Sequence, residues 1–341
     1  MIQLPSNTSE KKTVKAVGLL SGGLDSTLAC KIIKDFGIEV HGVYFAMPWG
    51  CCDKGKAQEA ADRLGIPFLV LQLDERYLEV VRKPKFGYGT AMNPCVDCRI
   101  HMFSRAGQYM QAIGADFVFT GEVLGQRPMS QMHHSLKNIE SETGLAGRLL
   151  RPLSAQLLDP TIPEKEGIID RNQLLKFSGR GRKDQIQLAK NFGITDYPNP
   201  AGGCLLTDEN FARRMKDTLK YGYRNFRETV ALKWGRHYRL TEHCKIIIGR
   251  DEEENKALIS YAHPDDTVMQ LPQNDGPTVI VKGSSGDPDL LALAAGYLQT
   301  FSKYKNAGPI EVNSWCPNNR NLITTVSAHR VPEQDLIEKK I

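Results

Sequence analysis

Ser21-Gly22-Gly23-Leu24-Asp25-Ser26 follows a short apolar run and precedes a stretch whose apolar residues recur at helical spacing. Two adjacent glycines let the backbone turn tightly and aim N–H groups at an anion, and the following helix adds the positive end of its dipole. Ser21 and Ser26 offer further donors. Asp25 would repel a bare phosphate, so its presence points to Mg²⁺ bridging the carboxylate and pyrophosphate oxygens. The loop has no Walker lysine.

Asn93-Pro94-Cys95-Val96-Asp97-Cys98 places two thiols within one turn at the start of an expected helix, where the dipole favours thiolates. Cys204, after Pro200-Ala201-Gly202-Gly203, offers a third on a loop. Cys95 and Cys98 alone fit a metal or cluster site, a redox or persulfide pair, or inert side chains. A structural zinc site wants four protein ligands, whereas a [4Fe-4S] cluster on three cysteines leaves one iron open to a hydrosulfide. Cys51-Cys52 are vicinal and poorly placed to chelate one ion, so they rank second. Cys30, Cys244 and Cys316 read as structural, and His133-His134 as polar loop residues whose side chains diverge.

A third string, Thr120-Gly121-Glu122-Val123-Leu124-Gly125-Gln126-Arg127-Pro128-Met129-Ser130-Gln131, follows another apolar run. Glu122 at a strand end suits Mg²⁺ coordination or substrate orientation. Gln126, Ser130 and Gln131 offer donors and acceptors to a nucleotide.

The Ser21–Ser26 string resembles the signature of the PP-loop ATP pyrophosphatases, whose members activate a carbonyl oxygen as an adenylate and release pyrophosphate. The Thr120–Gln131 string is similar to the corresponding stretch of tRNA 4-thiouridine synthetases. Asn93-Pro94 with Cys98, and Pro-Ala-Gly before Cys204, resemble tRNA 2-thiouridylases. Those relatives often carry Asp at the position of Cys95, and this difference favours a three-cysteine cluster. The resemblance covers most of residues 13 to 210. It implies ATP-dependent tRNA thiolation: a uridine carbonyl oxygen is adenylated and replaced by sulfur, with 4-thiouridine favoured and 2-thiouridine open. Asp25, Cys95, Cys98 and Cys204 would be catalytic, with the three cysteines holding a [4Fe-4S] cluster. Ser21, Gly22, Gly23, Asp25, Ser26, Gly121, Glu122, Gln126 and Gln131 would bind ATP and Mg²⁺. Sulfide or a persulfide carrier would donate sulfur to the tRNA, and a homodimer is compatible. A zinc-containing PP-loop ligase acting on a small carboxylate and a non-catalytic RNA-binding adaptor are the rival readings.

Strands must position these loops. Lys15–Leu20, Glu39–Phe45, Pro67–Leu73 and Asp116–Thr120 read as strands, with Leu149–Leu153 a fifth candidate. Ser26–Phe36, Lys56–Leu64, Ile100–Ile113 and Asp184–Phe192 read as helices. This alternation implies an α/β fold, a doubly wound parallel sheet of the adenine nucleotide alpha-hydrolase type, with its chemistry at the carboxyl ends of the strands. A second, smaller α/β domain follows from Cys244–Ile248, Glu252–Tyr261, Thr278–Val281 and Pro288–Tyr304.

The expected organisation is a polar leader over 1–12, the PP-loop domain over 13–210, a connector over 211–243, a second domain over 244–310 and a tail over 311–341. Phe211 to Lys245 holds ten Arg or Lys against three Asp or Glu, interleaved with Tyr221, Tyr223, Phe226, Trp234 and Tyr238. This composition makes Phe211–Arg239 the candidate RNA contact. Segments from Ile248 to Lys282 resemble a diverged NFACT-R domain, a module associated with RNA. The 341 residues, 41% apolar and 24% charged with a net charge of +5, exclude a disordered or fibrous chain. No run approaches the length of a membrane span and the start lacks a secretory signal, so the cytoplasm is expected, with no membrane partner.

Overall fold

The computed structural model describes residues 13–50, 53–199, 203–222 and 225–341. The expected leader, Cys51, Cys52, Pro200–Gly202 and Tyr223 lie outside the described residues. The chain divides into two compact units between Cys204 and Leu205, rather than near 210. Among the described residues, no helix is long and apolar enough to cross a membrane.

The first unit is built on β1 (Lys15–Leu19), β2 (Glu39–Ala46), β3 (Phe68–Gln72), β4 (Phe117–Thr120) and β5 (Leu149–Leu150). They pair in parallel in the order β3-β2-β1-β4-β5. Its helices are α1 (Leu24–Asp35), α2 (Lys54–Leu64), α3 (Glu75–Arg82), α4 (Cys95–Ala112), α5 (His133–Glu142), the single turn α6 (Ile162–Lys165) and α7 (Lys183–Asn191). Leu24, Leu28 and Ile33 of α1, Ala60 and Leu64 of α2 and Ala189 of α7 bury one core with Ala16, Phe117 and Phe119. Gly18 leaves room for Phe119, since a Cβ there would lie 2.4 Å from the ring. Strand order reverses between β1 and β4, so the loops leaving these two strands flank the crevice where doubly wound sheets bind ligands.

The second unit combines helices with one sheet, as expected, and that sheet is antiparallel. Its six strands, β6 (Arg236–Arg239), β7 (Lys245–Ile248), β8 (Thr267–Gln270), β9 (Val279–Lys282), β10 (Ile310–Cys316) and β11 (Asn319–Ala328), form one antiparallel sheet in the order β11-β10-β8-β9-β7-β6. The residues expected as a tail supply β11 and α11 (Glu333–Glu338), with most of β10. The residues expected as a connector are likewise built in. Phe211, Ala212 and Met215 of α8 (Glu209–Tyr221) are buried, and the Tyr238 ring packs tilted at 4.7 Å against Tyr297 of α10 (Pro288–Thr300). Trp234 packs at 5.1 Å against Tyr261 of α9 (Glu252–Tyr261). Tyr238 is therefore a core residue, Trp234 is half-buried against the Ile247 and Ile280 cluster, and half-buried Arg214 donates to the Leu232 carbonyl. Tyr221 is exposed.

Candidate functional site

Gly23 caps α1 in extended conformation, and no side chain caps the helix. Its first turn therefore keeps backbone donors for an anion. Gly22 has φ +76°, and a Cβ there would sit 2.5 Å from the Ala57 nitrogen. The hydroxyls expected to bind phosphate partly shape the loop instead: Ser26 Oγ accepts from Ser21 N at 3.2 Å and donates to the Gly23 carbonyl at 2.9 Å. Thr27 Oγ1 donates to the same carbonyl at 3.0 Å.

Asp25 faces the loop after β4. Gln126 Nε2 donates to Asp25 Oδ2 at 3.1 Å, while the buried Oδ1 has no hydrogen-bond partner. Burial raises the carboxyl pKa, opposed by Gln126, Arg182 and Arg127. A buried carboxylate with an open oxygen fits Mg²⁺. Gly121 brings the two loops into contact, since a Cβ on it would lie 2.5 Å from the Asp25 carbonyl and Ser26 nitrogen. Ser130 Oγ and Gln131 Oε1, buried on the same loop, also lack partners.

Glu122 lies between two arginines. It is 4% exposed, with Arg151 Nε 3.2 Å from Oε2 and Arg99 Nε 3.5 Å from Oε1. Arg151, equally buried, also reaches Glu140 at 3.5 Å. Both Glu122 oxygens thus face guanidinium groups, an arrangement that suits a structural ion network, while buried Oε1 makes no hydrogen bond.

Cys95 and Cys98 open α4, with Pro94 as its cap. Asp97 accepts from the backbone nitrogens of Lys85 and Phe86 at 2.7 and 3.0 Å, fastening the preceding loop. Tyr77 donates its hydroxyl to Cys98 Sγ at 3.1 Å, and its ring stacks on buried Trp49 at 6.1 Å. His101, one turn beyond Cys98, meets the same ring at 5.5 Å. Burial pushes the Cys98 thiol up to about 12, against the Tyr77 hydrogen bond and Arg99, with Cys95 and Cys204 adding to the rise. Desolvation is the largest influence on this thiol, and the Tyr77 hydrogen bond and Arg99 offset it only in part. Cys204 Sγ donates to Asn93 Oδ1 at 3.8 Å.

The three thiols thus share one electrostatic neighbourhood. Even so, among the described residues no three His, Cys, Asp or Glu are grouped to hold a metal ion. The expected cluster anchor of Cys95, Cys98 and Cys204 is not assembled, as Cys98 and Cys204 are turned to Tyr77 and Asn93. His133 and His134 begin α5 instead of lying in a loop. Cys30 and Cys244 are buried as expected, whereas Cys316 is exposed.

Two links tie the thiols to the nucleotide crevice. Arg99, the neighbour of Cys98, reaches Glu122, and Gly89 lies so close to Met129 that a Cβ would be 2.7 Å from its sulfur. Tyr77, Trp49, His101 and Arg151 carry no motif. The signals that could reveal two of them are the three-residue spacing of Cys98 and His101 and the amphipathic run Tyr77, Leu78, Val81.

Residues 14–142 match the family described as tRNA methyl transferase HUP domain, and residues 235–339 that described as NFACT protein RNA binding domain. The tRNA-specific 2-thiouridylase MnmA of Sulfurimonas denitrificans is 36% identical over 113 residues, 31% of this chain and 33% of the relative. The MnmA of Acidothermus cellulolyticus is 29% identical over 229 residues, covering 60% and 59%. The chain thus spans between a third and three fifths of these relatives' lengths. Among solved structures, a 4-thiouridine synthetase–RNA complex with bound ATP aligns with 53% of this chain and 52% of its own, at 22% identity and a TM-score of 0.34. A tRNA methyltransferase subunit from Methanocaldococcus jannaschii aligns with 60% of this chain and 88% of its own, at 17% identity and a TM-score of 0.33.

Proposed function

We propose that this chain, whose first unit is a PP-loop domain of the tRNA-thiolase type and whose second carries an NFACT-R-type domain, is an ATP-dependent tRNA sulfurtransferase. The observation that carries the reading is the coupling of thiols to nucleotide loop through Arg99 and Glu122. Sulfur chemistry and ATP chemistry belong to one site.

The open first turn of α1 and the Gly22–Gly23 backbone hold the pyrophosphate end of ATP. Mg²⁺, when bound, neutralises charge on the phosphates, and Asp25, oriented by Gln126, holds it. The uridine carbonyl oxygen attacks the α-phosphorus, and its bond to pyrophosphate breaks. A sulfur atom on the Cys95, Cys98 and Cys204 set then displaces AMP from the activated carbon.

Of the two forms in which these cysteines could carry sulfur, the arrangement supports a persulfide better than a cluster. A persulfide carrier transfers its outer sulfur to one thiol, and that sulfur attacks the carbon. A second thiol then closes a disulfide with the first and frees the thiouridine, and a thiol reductant resets the pair. Cys98, sheltered by Tyr77, and Cys204, on the carboxyl-terminal edge of the unit, are the pair. The Gly-Glu, Gly-Gln, Ser-Gln string favours the 4-position of uridine.

The test is pyrophosphate release from ATP. Release that requires tRNA and persulfide supports the reading; release driven by a small carboxylate without RNA would establish the ligase reading instead.

A further inference from the structure

Three cations stand in one row across the sheet of the second unit. Arg239 of β6 faces Lys245 of β7 in register, and Lys245 faces Lys282 of β9. Like charges directly opposite on neighbouring strands destabilise a sheet. Partial compensation comes from Asp217 of α8, 2.6 Å from Arg239 and 3.4 Å from Lys245. Asp266 at 2.8 Å and Glu228 at 3.3 Å hold Lys282. The central lysine is the most enclosed of the three and has the longest ion pair; its other contact is the Thr218 hydroxyl at 3.2 Å. Burial pushes the Lys245 ammonium down to about 8, with Asp217 opposing and Arg239 and Lys282 adding to the fall. The same positive field reaches His237, whose pKa is depressed by burial and then by Lys245, Arg214 and Lys282.

The row lines a cavity of about 360 Å³ that also includes Tyr221, Gly222 and His243. Of the acidic groups among the described residues, only Glu228 lines it, whereas all three cations do. A ligand entering there meets more positive than negative charge. Tyr221 is exposed at its side, with the Arg239 guanidinium 4.6 Å from the ring centroid.

We propose that this cavity is a phosphate-binding pocket, with Lys245 between Arg239 and Lys282 as its donors and an RNA backbone phosphate as its ligand. Arg239 and Lys245 share the single carboxylate of Asp217, and a phosphate supplies the second anion that this pair lacks. RNA as the source rests on the thiolase reading above; the phosphate chemistry does not.

The test uses the full chain and two probes, a tRNA transcript and inorganic phosphate. Acetic anhydride at pH 8 labels amines, and mass spectrometry reads the rate at Lys245 against exposed Lys256. Saturating tRNA is expected to slow Lys245 labelling about tenfold and leave Lys256 unchanged. Lys245→Met should weaken tRNA binding and lower its salt slope by about one. Lys282→Gln, at a less enclosed position, gives the same readout if the first variant does not fold. Protection by phosphate without protection by tRNA would support the pocket and reject RNA as its source. If neither probe slows labelling and the salt slope is unchanged, the proposal is overturned. Loss of thiolation in the wild type would undermine the enzyme reading but leave the phosphate arm intact.

Discussion

Glu122→Gln separates a structural role from a catalytic one. The substitution removes one charge from a buried network and leaves the Arg151 guanidinium, 4% exposed, without its nearest carboxylate. Breaking a buried pair on one side costs about 3–5 kcal/mol. Arg151 keeps Glu140 at 3.5 Å and the Leu136 carbonyl at 3.4 Å, and Arg99 is less enclosed, so the lower end, about 3 kcal/mol, is expected. In a unit of this size that loss lowers the melting temperature by about 6–12 °C. Thermal unfolding and ATP titration well below the transition form the assay, and ATP affinity should stay within about threefold of wild type, less than 1 kcal/mol. A variant that melts like wild type but no longer binds ATP would refute the structural role and return Glu122 to the cation.

Asp25→Asn should abolish tRNA-dependent pyrophosphate release yet make the nucleotide-free protein more stable. Burial raises the Asp25 pKa, so the folded state holds its proton more tightly than the unfolded chain does. Ionisation therefore opposes folding: stability rises as pH falls through the raised value, while Mg²⁺–ATP binding falls over the same window. An Asn variant that is less stable than wild type contradicts this sign. Cys98 should alkylate slowly. With its thiol pushed up to about 12, the thiolate fraction at pH 8 is about 10⁻⁴, against about a quarter for an ordinary cysteine. Its rate should climb about tenfold per pH unit beyond pH 9, and Tyr77→Phe should move that profile higher still, since the Tyr77 hydrogen bond lowers the pKa. A plateau for Cys98 near pH 9 would contradict the raised thiol pKa.

The first unit was legible because strand, glycine turn and helix follow one another in short order. β2 and α2 lie within two residues of their expected bounds. α4 begins at Cys95, five residues before the apolar periodicity makes itself felt. Its first turn contains Asp97, whose carboxylate accepts from the backbone nitrogens of Lys85 and Phe86. α3 and α5 were missed, and with α3 went Tyr77, the partner of Cys98. The loop contact of Gly121 with Asp25 joins residues remote in sequence, and no local pattern reports it.

In the second unit α9 keeps its expected bounds, whereas β6 and β8, of four residues each, are too short for alternation to show. β11 lies at the sheet edge and exposes Leu322 and Ile323 at 64% and 55%, so burial imposes no period on it. Asn318 and Asn319 beside Pro317, read as a tail, belong to a tight hairpin in which Cys316 pairs with Asn319. The row of Arg239, Lys245 and Lys282 exists only through strand register; the expected RNA contact over Phe211–Arg239 takes in Arg239 and leaves out Lys245 and Lys282.

Nucleoside mass spectrometry tests the central claim most directly. Unmodified tRNA is incubated without oxygen with ATP, Mg²⁺, a persulfide donor and either wild-type protein or Cys98→Ser, then digested. The account predicts a nucleoside heavier than uridine by the exchange of one oxygen for one sulfur, with the retention time of 4-thiouridine, formed by wild type and absent from the variant. It also predicts that the active protein carries no stoichiometric iron. Wild-type protein that binds tRNA and ATP but yields no thiolated nucleoside would contradict the account, and thiolation that requires about four iron atoms per chain would replace the persulfide step with a cluster.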